Sequence, residues 1–232
     1  MWNKIQRIYV GDHYQVYPKW KPWSNTVAYY PLTSDVKDYS WNWKNWTLNW
    51  SGSSYTWLWI KLTTSSYITL PTMGSLTTPT FSIWVNVTSA SQFKNGEYYY
   101  NSAWKTWIWI WFWTVSGSTN ARPHWFIWNG SGEKNVYTAA DKAPWTRNHY
   151  LITYNGSTAY FYINWVLNKS ETYGLSSSNL NTYNWYINGN NGSLNQHGSW
   201  VFSDCIVESA YWTATEVADY FNQTKATYLW FN

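Results

Sequence analysis

"HYLITYNGSTAYFYINWVLNKS", residues 149–170, decides the fold. Two strongly alternating runs flank Asn155-Gly156, the best short hairpin signal in the chain. Apolar positions that repeat at two belong to half-buried strands. Working outward, "TFSIWVNVTS" (80–89) sets Phe81, Ile83, Val85 and Val87 on one face at the same period. "TVAYYPL" (26–32) and "SYITLP" (66–71) precede it, the second stopping at Pro71. "YYYNSA" (98–103), "TWIWIWFWTV" (106–115), "HWFIWNG" (124–130) and "KNVYTAA" (134–140) lie between it and the hairpin. "NWYINGNN" (184–191) and "WVFSDCIVESAYW" (200–212) complete the set. Short strands at intervals of about ten residues predict an all-β sandwich or jelly roll.

One helix is expected, over "TATEVADYFNQTK" (213–225). Thr213 is its N-cap, and Glu216 three residues on completes a capping box. Val217, Tyr220 and Phe221 share a face at i, i+3 and i+4. Residues 1–24 read separately, as an N-terminal hairpin and linker: "KIQRIYVGDHYQVYP" is two strands about a Gly-Asp turn, and "KWKPWSN" (19–25) is the linker. One domain is expected over 25–232.

Composition narrows the function classes. Charged residues are 11% of the chain, and its 15 Lys and Arg form no run, so no nucleic-acid footprint is expected. Cys205 is the single cysteine, which excludes an intrachain disulfide and any zinc site of several cysteines. The first residues lack the apolar run and cleavage site of a secretory signal. The densest apolar stretch, Trp107–Val115, is too short to span a bilayer, so no membrane insertion is expected. Aromatics reach 23%, with 23 Trp, against only 12 Gly. A turn-rich β protein should be glycine-rich, so the excess and the deficit point at each other.

"VAYYPLTSDVKDYSWNWKNWT" (27–47) resembles the opening of laminin-G-like domains of the concanavalin A-like lectin/glucanase superfamily. There the apolar strand leads through Asp and Ser to a Gly-Asn-Gly run ending in Gly-Thr. "SYITLP", "TFSIWVNV", "YLITYNGSTAYFYINWVL", "NWYINGNNGS" and "FSDCIVESAYWTATEVADYFN" are similar to its later strands and closing helix, in order. The resemblance covers residues 26–228. It implies a jelly-roll sandwich of two antiparallel sheets with one short C-terminal helix. The N-terminal segment resembles the short leader of phage tail and other virion proteins, which implies an attachment piece.

The chain departs from the family at tryptophan. Trp stands at family glycine positions 41, 43, 46, 50 and 165, and at 185 and 200: "YINWVL" for "YINGVL", "SWNWKNWT" for "SGNGKNGT". A bulky residue with φ > 0 is an outlier, and drift would not choose one residue repeatedly. One variant genetic code reads UGA as glycine and another reads it as tryptophan, so a gene of the first kind translated by the second would give this pattern. Trp84, Trp128 and Trp212 sit at strand or packing positions and read as authentic; Trp107, Trp109, Trp111 and Trp113 are undecided. The alternative is that all are authentic and form an aromatic-rich binding surface.

Catalytic chemistry is sparse. Glycoside hydrolases need two carboxylates across the scissile bond. The Glu-x-Asp-x-x-Glu strand of the laminarinase-like branch does not occur. Asp204 and Glu208, evenly spaced on one strand, are the nearest pair, with a solvated face as the alternative. The four histidines are scattered, and no Gly-x-Ser-x-Gly elbow is present. The resemblance implies calcium, held in many relatives by a loop Asp, carbonyls and a second Asp near the last strand. Asp38 and Asp204 match those places; the alternatives are an Asx-turn at Asp38 and a capping or edge role at Asp204. For sugar binding, aromatic faces and amides are wanted. Tyr98 and Tyr100 on a strand, and Asn190, Asn191, Gln196 and His197 in the polar stretch "NGNNGSLNQHGS" (188–199), are the candidates; an ordinary solvated loop is the alternative.

The expected function is therefore a non-catalytic lectin-like module that binds a glycan or cell-surface polysaccharide. It would work as a homo-oligomer on a virion or at a cell surface, alongside other virion proteins, without a Sec signal. A purely structural virion protein is the alternative. A glycoside hydrolase, or single-strand nucleic-acid binding by stacked aromatics, is less favoured.

Overall fold

In the computed structural model the described residues are 7–10, 13–16, 24–32, 35–40, 42–49, 52–56, 59–63, 65–74, 76–87, 97–101, 107–114, 121–128, 133–137, 146–172, 185–187 and 200–229. Their elements, labelled in chain order, form two antiparallel sheets, a separate hairpin and one helix. The hairpin pairs β1 (Arg7–Val10) with β2 (His13–Val16). A seven-stranded sheet runs β12 (Glu133–Tyr137), β11 (Ala121–Trp128), β10 (Trp107–Thr114), β9 (Glu97–Asn101), β16 (Trp185–Ile187), β7 (Tyr67–Leu70), β4 (Thr47–Asn49). An eight-stranded sheet runs β15 (Val166–Thr172), β14 (Thr158–Ile163), β13 (Arg147–Tyr154), β8 (Thr80–Val87), β17 (Trp200–Glu208), β6 (Trp59–Leu62), β5 (Ser54–Thr56), and β3 (Thr26–Tyr30) also pairs with β17.

The period-two pattern explains the layers. Phe81, Ile83 and Val85 of β8 and Tyr150, Ile152 and Tyr154 of β13 enter the main core. There they meet Ile68 and Leu70 of β7 and Ile187 of β16, from the other sheet. Each such aliphatic or aromatic side chain stabilises the fold by roughly 1.5–3 kcal/mol through burial. The two strands about Asn155-Gly156 pair from Tyr150↔Ile163 to Tyr154↔Ala159. Their connection is the three residues Asn155, Gly156 and Ser157. Asn155 Oδ1 accepts the N–H groups of Ser157 (3.0 Å) and Thr158 (2.8 Å), while Gly156 takes φ 98°.

The helix α1 (Ala214–Leu229) lies on the outer face of the eight-stranded sheet. Its capping box forms: Glu216 N–H donates to Thr213 Oγ1 (3.3 Å) and Thr213 N–H to Glu216 Oε2 (2.7 Å). Val217 and Tyr220 pack with Leu151, Tyr162 and Ile206, and Phe221 stacks on Trp84 at 5.4 Å.

The tryptophans divide. Trp43 (φ 55°) and Trp165 (φ 64°) have the left-handed backbone expected where the family has glycine. Trp46 and Trp200 do not: both are buried core residues, and Trp200 lies inside β17 beside Phe202. Trp185 lies in a strand, opposite Leu70 and Asn101. Position needs decide this: a core site wants volume, whereas a reverse turn wants no Cβ. Positions 41 and 50 are outside the described residues.

Candidate functional site

The loop after β3 is built around Asp38. Its Oδ1 accepts the N–H of Tyr29 (3.0 Å) and of Ser40 (2.8 Å). Its Oδ2 accepts the Ser40 hydroxyl (2.9 Å) and the Lys44 N–H (2.9 Å). The bond to the amide two residues on is an Asx-turn, so that alternative describes the loop. A carboxylate offers about four lone-pair sites, and here four donors use them. Asp204 is far less open. It sits in the middle of β17 at a bulge between Ser203 and Ile206, with φ 50° and its N–H on Pro31 O (3.1 Å). The Tyr220 hydroxyl of α1 donates to its Oδ2. Calcium wants six to eight oxygens free to coordinate. Among the described residues no group of three His, Cys, Asp or Glu could hold a metal; Asp38 spends both its oxygens on protein donors, whereas Asp204 gives only Oδ2 to Tyr220 and keeps Oδ1 buried without a hydrogen bond.

Asp204 and Glu208 are both fully buried, at 0% exposure, so the solvated-face alternative fails for them. Burial raises Asp204 from its ordinary 3.8 to about 6, against the opposing hydroxyls of Tyr220 and Tyr29. Burial likewise raises Glu208 from 4.5 to about 7, with Thr26 opposing and Glu216 adding to the rise. Thr26 Oγ1 donates to Glu208 Oε1 at 2.5 Å. Raised carboxyls resemble general acids, but both of these are buried, at 0% exposure. Two polar contacts escaped the sequence. Ser82 Oγ and His149 Nε2 lie 2.7 Å apart beneath the helix, between Trp84 and Tyr220. Burial lowers His149 to about 3, so it is neutral, and its partner strand is 67 residues away in sequence. Arg147, 5% exposed, lays its guanidinium 4.1 Å from the Trp59 ring.

Of the sugar-binding candidates, Tyr98 and Tyr100 lie on β9 of the seven-stranded sheet. Tyr98 and Tyr100 are backbone neighbours of two strands: Tyr98 pairs with Trp111, and Tyr100 with Tyr186. Ile187, the last residue of β16, pairs with Tyr99 and lies in the core. Ile187 precedes residues 188–199 in sequence, and the described chain resumes at Trp200 in the other sheet. Asn190, Asn191, Gln196 and His197, and the side chains of Tyr98 and Tyr100, lie outside the described residues.

No protein-family model and no curated protein sequence matches the chain. Solved structures do. Domain 4 of AbnA, a GH43 extracellular arabinanase from Geobacillus stearothermophilus solved in complex with arabinotriose, is similar with a TM-score of 0.67 at 16% identity; the match covers 84% of this chain and 97% of that one. The binding domain of Paraclostridial Mosquitocidal Protein 1 gives 0.68 at 18% identity, covering 85% of this chain and 52% of that one. The binding domain of botulinum neurotoxin DC, solved in complex with SialylT, gives 0.64 at 11% identity, covering 86% and 51%. The chain thus spans nearly all of the arabinanase domain and about half of each toxin domain, and what it shares with them is the fold: a β-sandwich of antiparallel sheets.

Proposed function

We propose that this chain is a non-catalytic, laminin-G-like lectin module that binds a glycan. The observation that supports the reading is the β9–β16 pairing, which sets Tyr99 and Tyr100 opposite Ile187 and Tyr186, the residues that precede the polar stretch 188–199 in sequence. A sugar needs directional hydrogen bonds and a flat apolar face together, which amides, an imidazole and tyrosines can supply. The fold likeness to a domain solved with arabinotriose supports the same reading. Burial of Asp204 and Glu208 beneath α1 speaks against the hydrolase alternative. We further infer display in several copies on a virion or cell surface, with residues 1–24 as the attachment piece and weak sites made effective by number.

A glycan array probed with multivalent protein tests this, with arabino-oligosaccharides and sialylated glycans included. Binding is expected, and Tyr100→Ala and His197→Ala should each weaken it by about tenfold, equal to about 1.4 kcal/mol. Silence across the array together with tight self-assembly would favour the structural virion protein. Sugar release abolished by Glu208→Gln would instead make the chain a hydrolase.

A further inference from the structure

Non-glycine residues rarely adopt φ > 0, and those that do have a reason. Five are found among the described residues: Leu32, Trp43, Asn164, Trp165 and Asp204. Asn and Asp tolerate this region because their short side chains bond locally. Leu32 is 1% exposed, so core packing offsets its strain. The two tryptophans have neither compensation in full. Trp43 is 80% exposed and Trp165 45% exposed. They take φ 55° and 64°, beside φ 82°, 79° and 98° at Gly52, Gly74 and Gly156. Trp165 does touch Phe221, with ring centres 4.3 Å apart, yet nearly half of it faces solvent.

Neither conformation can relax, because the neighbours are pinned. Asn42 donates through Nδ2 to Thr26 O (2.8 Å) and Val27 O (3.1 Å), and Lys44 N–H is held by Asp38. Trp43 is the single link between these anchors. Around Trp165, Ile163 pairs with Val166, leaving only Asn164 and Trp165 to turn the chain, both with φ > 0. That is the I′ requirement, whose preferred pair is Asn-Gly. Other tryptophans behave oppositely: Trp84 and Trp212 are 0% and 1% exposed, and neither has φ > 0. One letter thus fills two incompatible kinds of site. Trp46 is intermediate: it is buried, but its ring centre lies 3.6 Å from that of Tyr30, closer than the roughly 4.5–7 Å that aromatic pairs prefer.

We infer that positions 43 and 165 are glycine in the protein as its own organism makes it, read from UGA codons, whereas Trp84 and Trp212 are tryptophan read from UGG. The two exposed indoles are then no ligand platform, and recognition falls to amides, imidazole and tyrosines. The codons and a peptide mass spectrum of natively made protein test this directly. UGA at 43 and 165, UGG at 84 and 212, and peptides lighter by one indolylmethyl group at each of the first two sites are expected. UGG at 43 or 165, UGA at 84 or 212, or peptides carrying tryptophan at 43 or 165 overturns it. A folding measurement tests the steric ground independently. In the tryptophan-containing chain, the double variant Trp43→Gly/Trp165→Gly should melt above Trp43→Ala/Trp165→Ala, since alanine also trims the side chain but keeps the Cβ. A double alanine variant that melts at or above the glycine one overturns the argument.

Discussion

Asn164 joins two strands through both its backbone and its side chain. Its N–H donates to His149 O (2.9 Å), and its Oδ1 accepts the His149 N–H (2.8 Å). Its Nδ2 donates to Asn148 Oδ1 (2.9 Å), and its φ is 49°. An alanine there loses the side-chain bonds and strains the left-handed backbone. Asn164→Ala should therefore destabilise the fold by about 2–3 kcal/mol, from the unsatisfied His149 amide plus the αL penalty. Asn164→Gly keeps the turn and loses only the bonds, so it should cost about 1 kcal/mol less. Urea denaturation of both variants checks this; equal losses would show that backbone strain plays no part at this turn.

At the scale of elements, α1 and β17 form a proton-sensitive seam. Asp204 faces Tyr220 and Tyr29, and Glu208 faces Thr26 with Glu216 nearby. Both carboxyls are raised above their unfolded values of 3.8 and 4.5, so folding favours the protonated forms. Their contribution is fully present below those values and is lost as pH rises through about 6 and about 7. Stability should accordingly fall by a few kcal/mol between mildly acidic and mildly alkaline buffer. Glu208→Gln should flatten the slope and raise the melting temperature on the alkaline side. A pH series of thermal melts that is level for the parent chain would refute the assignment.

Much of this element layer was legible in the sequence. The alternation of Phe81, Ile83 and Val85 and the Thr213–Glu216 box need only local rules, and both are realised. What escaped depends on residues far apart in the chain. The bulge that turns Asp204 under α1 is set by β3 and β8 pairing with β17, and Ser82 meets His149 only because β8 and β13 are neighbours. Trp46 and Trp200 reach the core, which spacing along the chain alone does not reveal. The Asp38 loop was legible as a ligand-shaped loop, but not that its own amides fill it.

For the whole molecule, one consequence of that filling is that folding should be indifferent to divalent cations. Melting temperatures in EDTA and in millimolar calcium should coincide; a rise with calcium would mean that the cation displaces the amides of Tyr29, Ser40 and Lys44 from Asp38. The sandwich also has two unlike sides. α1 covers part of one sheet, whereas the proposed sugar contacts belong to the other. A bound glycan and the helix would then not compete for the same surface.

β17 pairs with β3, β6 and β8, all of which precede it in the chain, with β9 to β16 between them. During synthesis, three strands made long before must wait for β17 to fill the gap between them. Until then their edges are open to the wrong partner, and non-local pairing of this kind is slow. Ribosome-bound fragments that stop short of Trp200 would thus be the most aggregation-prone species this gene produces.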